Sequence, residues 1–112
     1  MAAGRKFNLP IGNVFHAGDG NLHPLIMFDE RDPDELDRVK KLGTEILRIC
    51  SEAGGTISGE HGVGLEKLRE TRFIFNEQDF EFSRAVKTAL DPDGILNPGK
   101  MIPAAESAQI AA

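Results

Sequence analysis

The feature that most constrains the fold is one long segment, residues 33–53, whose apolar side chains recur every three or four positions. That spacing lines them up along one side of an α-helix, so the helix needs a second apolar surface to cover it. Asp32-Pro33 is typical of a helix start, with Glu35 as a capping partner, and Gly54-Gly55 is typical of a helix end. We therefore predict one amphipathic helix that packs against another element.

Two short apolar runs precede this helix. Residues 11–15 and 22–28 have the length of strands, and the glycine-rich segment 17–21 between them favours a reversal of the chain. Pro24 lacks a backbone N–H, which indicates either an edge strand or the start of a strand. A further short β segment is predicted over residues 56–58.

The remainder of the chain favours helices. Residues 65–75 are expected to be helical in part. Another helix is expected to start near Asn76-Glu77 and to end at Asp91-Pro92-Asp93-Gly94. Its inward-facing side chains are expected to be Phe80, Ala85, Val86, Ala89 and Leu90. Short strands combined with these helices predict an α+β fold.

The composition excludes several classes of protein. The chain has 112 residues, enough for one domain, and its net charge of −5 argues against a nucleic-acid-binding face. A single cysteine, Cys50, can form neither an internal disulfide nor a cysteine-based zinc site. Because no apolar run approaches the roughly 20 residues that span a bilayer, and residues 1–10 show no secretory signal, we expect a cytoplasmic protein.

Three histidines, His16, His23 and His61, are the main candidates for chemistry. In an extended chain His16 and His23 would lie about 23 Å apart, whereas a reversal at residues 18–21 would bring their imidazoles together. Adjacent side chains of an extended backbone point to opposite sides. We therefore expect one of Glu60 and His61 to join the first two histidines on a metal, and the other to face a substrate.

Two histidines and one carboxylate leave an open coordination position, which is typical of catalytic zinc, and iron(II) or manganese can use the same ligands. The free histidine would serve as a general base, because histidine changes protonation near neutral pH. The spacing of these residues alone does not identify the reaction. A non-enzymatic α+β binding or assembly module with structural histidines is an alternative, and so is a metal hydrolase, although no oxyanion partner for a hydrolase is evident.

Three motifs in a fixed order then resemble a known family. They are HAGDGNLHP at residues 16–24, SGEHGVG at residues 58–64 and DPDGILNPGK at residues 91–100. All three are similar to the C-terminal signatures of FAD-linked oxidases of the glycolate oxidase and D-lactate dehydrogenase type. The resemblance covers about residues 11–103 and implies a partial C-terminal domain there. The weakly patterned residues 1–10 are then a lead segment, and the small residues at 104–112 are expected to form a flexible tail. The resemblance also implies that the domain is α+β, with part of a ferredoxin-like antiparallel sheet packed with helices.

The resemblance implies the cap domain of an FAD-dependent oxidoreductase that oxidises a D-2-hydroxy acid to a 2-oxo acid. An N-terminal domain outside these 112 residues would hold most of the FAD, which accepts the hydride. The metal ligands implied by the motifs are His16, His23 and Glu60, with zinc as the expected ion and iron or manganese as alternatives.

The same resemblance assigns the remaining site residues. His61 is implied as the base, and Asn21 and Asn97 fall at positions near the flavin or its pocket. Leu25 stands where the hydroxyglutarate-oxidising branch commonly has Asn, which favours glycolate or D-lactate as substrate. Without a flavin domain, the chain is expected to be inactive alone, and to self-associate or to bind the flavin-binding domain or other oxidase subunits.

Overall fold

The computed structural model describes residues 2–105, which fall into two contiguous units divided after Gly59. In the first unit the elements are α1 (Ala2–Phe7), β1 (Ile11–His16), β2 (Asn21–Ile26) and α2 (Pro33–Glu52). The second unit contains α3 (Glu77–Leu90). Short 3₁₀ turns lie at Ala17–Asp19 and Glu70–Phe73. The predicted α+β fold, with an antiparallel sheet and helices, is confirmed.

β1 and β2 form an antiparallel hairpin, as the two apolar runs predicted. The register pairs Ile11 with Ile26 at the open end and His16 with Asn21 at the closed end. β2 starts one residue earlier and ends two residues earlier than predicted. The sheet of the described residues has two strands, so Pro24 does lie on an edge strand, where a missing N–H is tolerated.

α2 has nearly the predicted bounds, and the carboxylate of Asp32 caps it by accepting the N–H groups of Asp34 and Glu35. The predicted capping role of Glu35 is wrong. Its carboxylate accepts the N–H of Asp29 at 2.7 Å. The N–H of Asp32 is not available to Glu35, because it donates to the carbonyl of Asp29 at 3.0 Å.

A short helix that the sequence did not predict, α1, occupies most of the lead segment. Six residues are too few for a stable isolated helix, so its contacts with α2 hold it in place. Arg38 donates to the carbonyls of Phe7 at 2.9 Å and of Asn8 at 3.1 Å, where α1 ends. Lys6 forms an ion pair with Glu45 at 3.3 Å.

The core of the first unit consists of Leu9, Leu42 and Ile57, and Leu42 has no exposed surface. The predicted β segment at residues 56–58 is wrong, since no strand is formed there. The two paired strands leave this segment without a ladder partner, and Gly54, at φ 82°, turns the chain directly after α2. Ile57 therefore contributes one buried side chain rather than a strand.

In the second unit, the partly helical segment at residues 65–75 is confirmed as turns and a 3₁₀ helix. The predicted start of α3 is also confirmed: Asn76 and Asp79 cap each other's backbone N–H groups there. Phe80 is buried, at 3% exposure.

Four other residues that were predicted to face inward are not buried: Ala85, Val86, Ala89 and Leu90. For Leu90 the exposed fraction is 79%. That part of the prediction is wrong, because helical periodicity reports which side of a helix is apolar and not whether another element covers it.

No helix among residues 2–105 has the length and the apolar character needed to cross a membrane. The predicted tail at residues 104–112 lies outside the described residues from position 106 onward.

Candidate functional site

The hairpin places both histidines of the first motif on one face of the sheet. His16 lies opposite Asn21 and His23 lies opposite Val14. Directly opposed residues share a face, and so do residues two apart along a strand. The imidazole centroids are 5.4 Å apart, with the ring planes at 81°. The predicted reversal at residues 18–21 is therefore present, and it brings the two rings together.

Asn21 lies between this histidine pair and the end of the first unit. Its Nδ2 is 3.4 Å from Nε2 of His23. On its other side lies Gly59, where an added Cβ would be only 2.2 Å from Oδ1 of Asn21. No side chain fits at Gly59 unless the Asn21 amide moves. This role of Gly59 was not predicted from the sequence. The one feature that could have indicated it is the position of this glycine directly before Glu60 in the second motif.

The second unit begins with Glu60 and His61, both exposed. Nε2 of His61 lies 3.9 Å from Oε1 of Glu60. The expectation that these side chains point to opposite sides is therefore wrong. The chain bends at this pair and continues through Gly62 at φ 78°, so the backbone is not extended here. His61 also lines a cavity of about 430 Å³ formed by residues 61–67.

Asn97, exposed and at φ 46°, lies in the loop that follows α3. The carboxylate of Asp91, 7% exposed, accepts the N–H groups of Ile95 and Leu96, both at 3.0 Å, and pairs with Lys87. The hydrogen bond from Lys87 lowers the pKa of Asp91 most, burial opposes it, and the N–H groups of Leu96 and Ile95 lower it further. One carboxylate thus organises the loop that carries Asn97.

This loop is also tied to the loop of His61 within the second unit. The N–H of Met101 donates to the carbonyl of Gly64 at 2.9 Å. The sequence predicted Asp91 as part of a helix-ending segment and of the third motif, and not as the group that organises this loop. The ion pair could have been predicted, because Lys87 lies four residues before Asp91, which is one helical turn, and carries the opposite charge.

Comparison with known proteins places these motifs in a family. A family model described as FAD linked oxidases, C-terminal domain, matches residues 2–101. The chain belongs to this family, as its three motifs predicted.

Several curated relatives are similar over most of the chain. Glycolate oxidase subunit GlcD of Escherichia coli strain K12 is 54% identical over 99 residues, which cover 88% of this chain and 20% of the relative. GlcD of Bacillus subtilis is 45% identical over 96 residues, 86% of this chain and 20% of the relative. D-lactate dehydrogenase of Archaeoglobus fulgidus is 44% identical over 99 residues, 87% of this chain and 21% of the relative. The chain spans about a fifth of the length of these relatives.

Acid should release the loop that Asp91 organises. Because the folded-state pKa of Asp91 is below its ordinary value of 3.8, the carboxylate stabilises the loop above that pH. The stabilisation is lost as the pH falls through the folded-state value. We expect the protection of the Ile95 and Leu96 amides from hydrogen exchange, corrected for intrinsic rates, to decrease over this range.

In Asp91→Asn these amides should already be less protected at neutral pH and should change little on acidification. Asp93→Asn, in the same loop, is the matched control and should behave as wild type. Wild-type protection in Asp91→Asn would contradict this role of Asp91.

Proposed function

We propose that this chain is the C-terminal cap domain of an FAD-dependent oxidoreductase that acts on a D-2-hydroxy acid, either glycolate or D-lactate. The observation that carries the proposal is the pairing of the motif histidines His16 and His23 on one face of the hairpin. Family membership supports the flavin. The names of the relatives, glycolate oxidase and D-lactate dehydrogenase, support the substrate class.

We propose that His16, His23 and Glu60 hold a divalent metal, with zinc as the first choice and iron(II) or manganese as alternatives. The chemistry of the donors fits, because imidazole nitrogens and a carboxylate oxygen are ligands that these ions share. The two imidazoles already lie close together on one face. Gly59 packs closely against the side chain of Asn21, and Glu60 directly follows Gly59 in the chain. This supports Glu60 as the third ligand.

His61 is the proposed general base. Its exposed imidazole lines an open cavity, which gives a small hydroxy acid a route to it. When bound, the FAD would supply a hydride acceptor and the metal would favour ionisation of the substrate hydroxyl. His61 takes the proton of the substrate hydroxyl, while the hydrogen on the carbon that bears this hydroxyl leaves with its electron pair as a hydride. Asn21 and Asn97 are proposed to contact the flavin or its pocket.

A flavin-binding domain or another oxidase subunit is the proposed partner, with self-association in its absence. The exposed side chains of Phe82, Val86 and Leu90, spaced four residues apart, support this by forming an apolar stripe along α3. Such stripes are typical of surfaces that another element covers. The proposed location is the cytoplasm, with any association with a membrane made through partner subunits.

The metal proposal predicts about one zinc, iron or manganese ion per purified chain, measured by elemental analysis. The double variant His16→Ala/His23→Ala should lose the ion, because only one of the three proposed ligands remains. His61→Ala, which removes the proposed base, should retain it. Metal-free wild-type protein that takes up no added zinc would contradict the proposed site in this chain.

The proposed base predicts a loss of turnover without loss of flavin. In an oxidase that contains this domain together with its flavin-binding domain, His61→Ala should lower kcat by about 10²- to 10⁴-fold, with unchanged flavin absorbance. Glu66→Ala, which alters the same cavity, is the matched control. The 112-residue chain alone, supplied with FAD and a dye acceptor, should oxidise neither glycolate nor D-lactate. Normal turnover by His61→Ala would exclude its role as the base.

The partner proposal predicts that the chain alone exceeds the monomer mass by light scattering at tens of micromolar. Phe82→Ser/Leu90→Ser should shift the mass towards the monomer, because it interrupts the apolar stripe. The exposed substitution Thr88→Ser on the same helix is the control. A monodisperse monomer of the wild-type chain would count against self-association.

A further inference from the structure

We propose that the free edge of β1 pairs with the same edge of a second copy of this chain, antiparallel and about a two-fold axis at Asn13. The inference rests on the self-association proposed for the chain without its flavin-binding domain, and it deepens that proposal by naming the surface and the register. Each copy contributes its two strands, so the dimer contains one sheet in the order β2, β1, β1, β2.

The hydrogen bonds of the hairpin determine which backbone groups point outward. The N–H of Met27 donates to the carbonyl of Pro10 at 3.0 Å, so these two residues form a hydrogen-bonded pair that continues the register of the strands. Hydrogen-bonded and non-hydrogen-bonded pairs alternate along an antiparallel ladder. The pairs that Ile11, Asn13 and Phe15 form with β2 are therefore of the second kind. The N–H and C=O groups of these three residues point away from β2.

The two free edges of the hairpin differ in what they offer to another strand. By the same alternation Pro24 faces the outer side of β2, where it has no N–H to donate. On β1 all three outward residues have both groups, and none of these groups has a hydrogen-bond partner among residues 2–105. β1 also has no proline and no Lys, Arg, Asp or Glu, which commonly keep an edge strand from pairing. The edge of β1 is therefore open to another strand.

The side chains of β1 are complementary to those of a second β1. In an antiparallel pairing centred on Asn13, Ile11 lies opposite Phe15 of the second copy, and Asn13 lies opposite its own equivalent. Phe15 is 53% exposed in the chain by itself. The pairing covers this ring with a β-branched side chain, and the two amides can exchange hydrogen bonds. Contact between identical surfaces about a two-fold axis requires such self-complementarity.

Pairing would also stabilise the hairpin. A two-stranded hairpin is marginally stable in water, and three or more strands with an apolar face are needed for independent stability. This hairpin exposes apolar side chains on both faces, Phe15 and Leu22 on one face and Val14 and Leu25 on the other. A second copy doubles the number of strands and supplies partners for the outward backbone groups of β1.

The first experiment measures mass by light scattering at tens of micromolar in Phe82→Ser/Leu90→Ser, which removes the stripe of α3 as a second association surface. This background should still be a dimer. Asn13→Lys and Asn13→Asp should each raise its dissociation constant by at least about 10-fold, because like charges then lie opposite one another at the two-fold axis. An equimolar mixture of the two should dimerise again. Thr88→Lys, at an exposed position of α3, is the control and should leave the dimer intact.

The second experiment identifies the edge by hydrogen exchange at single amides. In the dilute monomer the amides of Ile11, Asn13 and Phe15 should exchange near their intrinsic rates. The amides of Gly12 and Val14 should be protected by their bonds to β2. At concentrations that favour the dimer, all of these amides should be protected. Protection that stays confined to Gly12 and Val14 in a dimer would overturn pairing through β1.

These measurements separate the role of β1 from the self-association on which it rests. A background variant that dimerises equally well with Asn13→Lys would overturn the role of β1 and leave self-association in place. The same holds for a background variant that is already monomeric while the wild-type chain associates, since association would then depend on α3. A monomeric wild-type chain would overturn both proposals.

The flavin-binding domain is the other possible occupant of this edge. A chain that stays monomeric, but whose Ile11, Asn13 and Phe15 amides become protected in an oxidase that contains the flavin-binding domain, would assign the edge to that domain. That result would also overturn the pairing of two copies.

Discussion

The register of the β1–β2 hairpin is the constraint on which the candidate site depends. Because side chains alternate between the faces of a strand, a slip of one residue would replace His23 by Leu22 or Pro24 on the face that carries His16. The 3₁₀ turn at Ala17–Asp19 and Gly20, at φ 68°, set the length of the reversal and so maintain this register. The motif glycines thus affect the candidate site indirectly, because they determine which side chains become neighbours.

The helices and strands with strong local signals were predictable from the sequence. α2 has a regular apolar stripe, a capping aspartate and a glycine stop, and its bounds agree with the prediction to within one residue. α1 was not predictable, because six residues carry little helix signal and its stability comes from Arg38 and Glu45, more than thirty positions away. Long-range partners also explain the false strand at residues 56–58, since a strand exists only where another strand pairs with it.

For the candidate site, the closeness of His16 and His23 was predictable from the sequence, and the other contacts of its residues were not. The distance between His16 and His23 followed from one turn, which is local information. The contacts of Gly59 with Asn21 and of Asp91 with Ile95 and Leu96 could not be derived in the same way. Periodicity reveals apolar faces, but it does not reveal which polar group a carboxylate or an amide will meet after folding. The family motifs supplied the functional assignment that spacing alone left open.

The division of the chain after Gly59 has a consequence for the order of assembly during synthesis. Residues up to Gly59 form one unit of contiguous sequence, and proteins generally fold such units as they emerge, from the N-terminus onward. The hairpin needs only sixteen neighbouring positions, 11–26, so little chain entropy opposes its closure. The two imidazoles and the glycine that seats Asn21 can therefore be in place on the nascent chain while the segment that carries His61 and Asn97 is still unfolded.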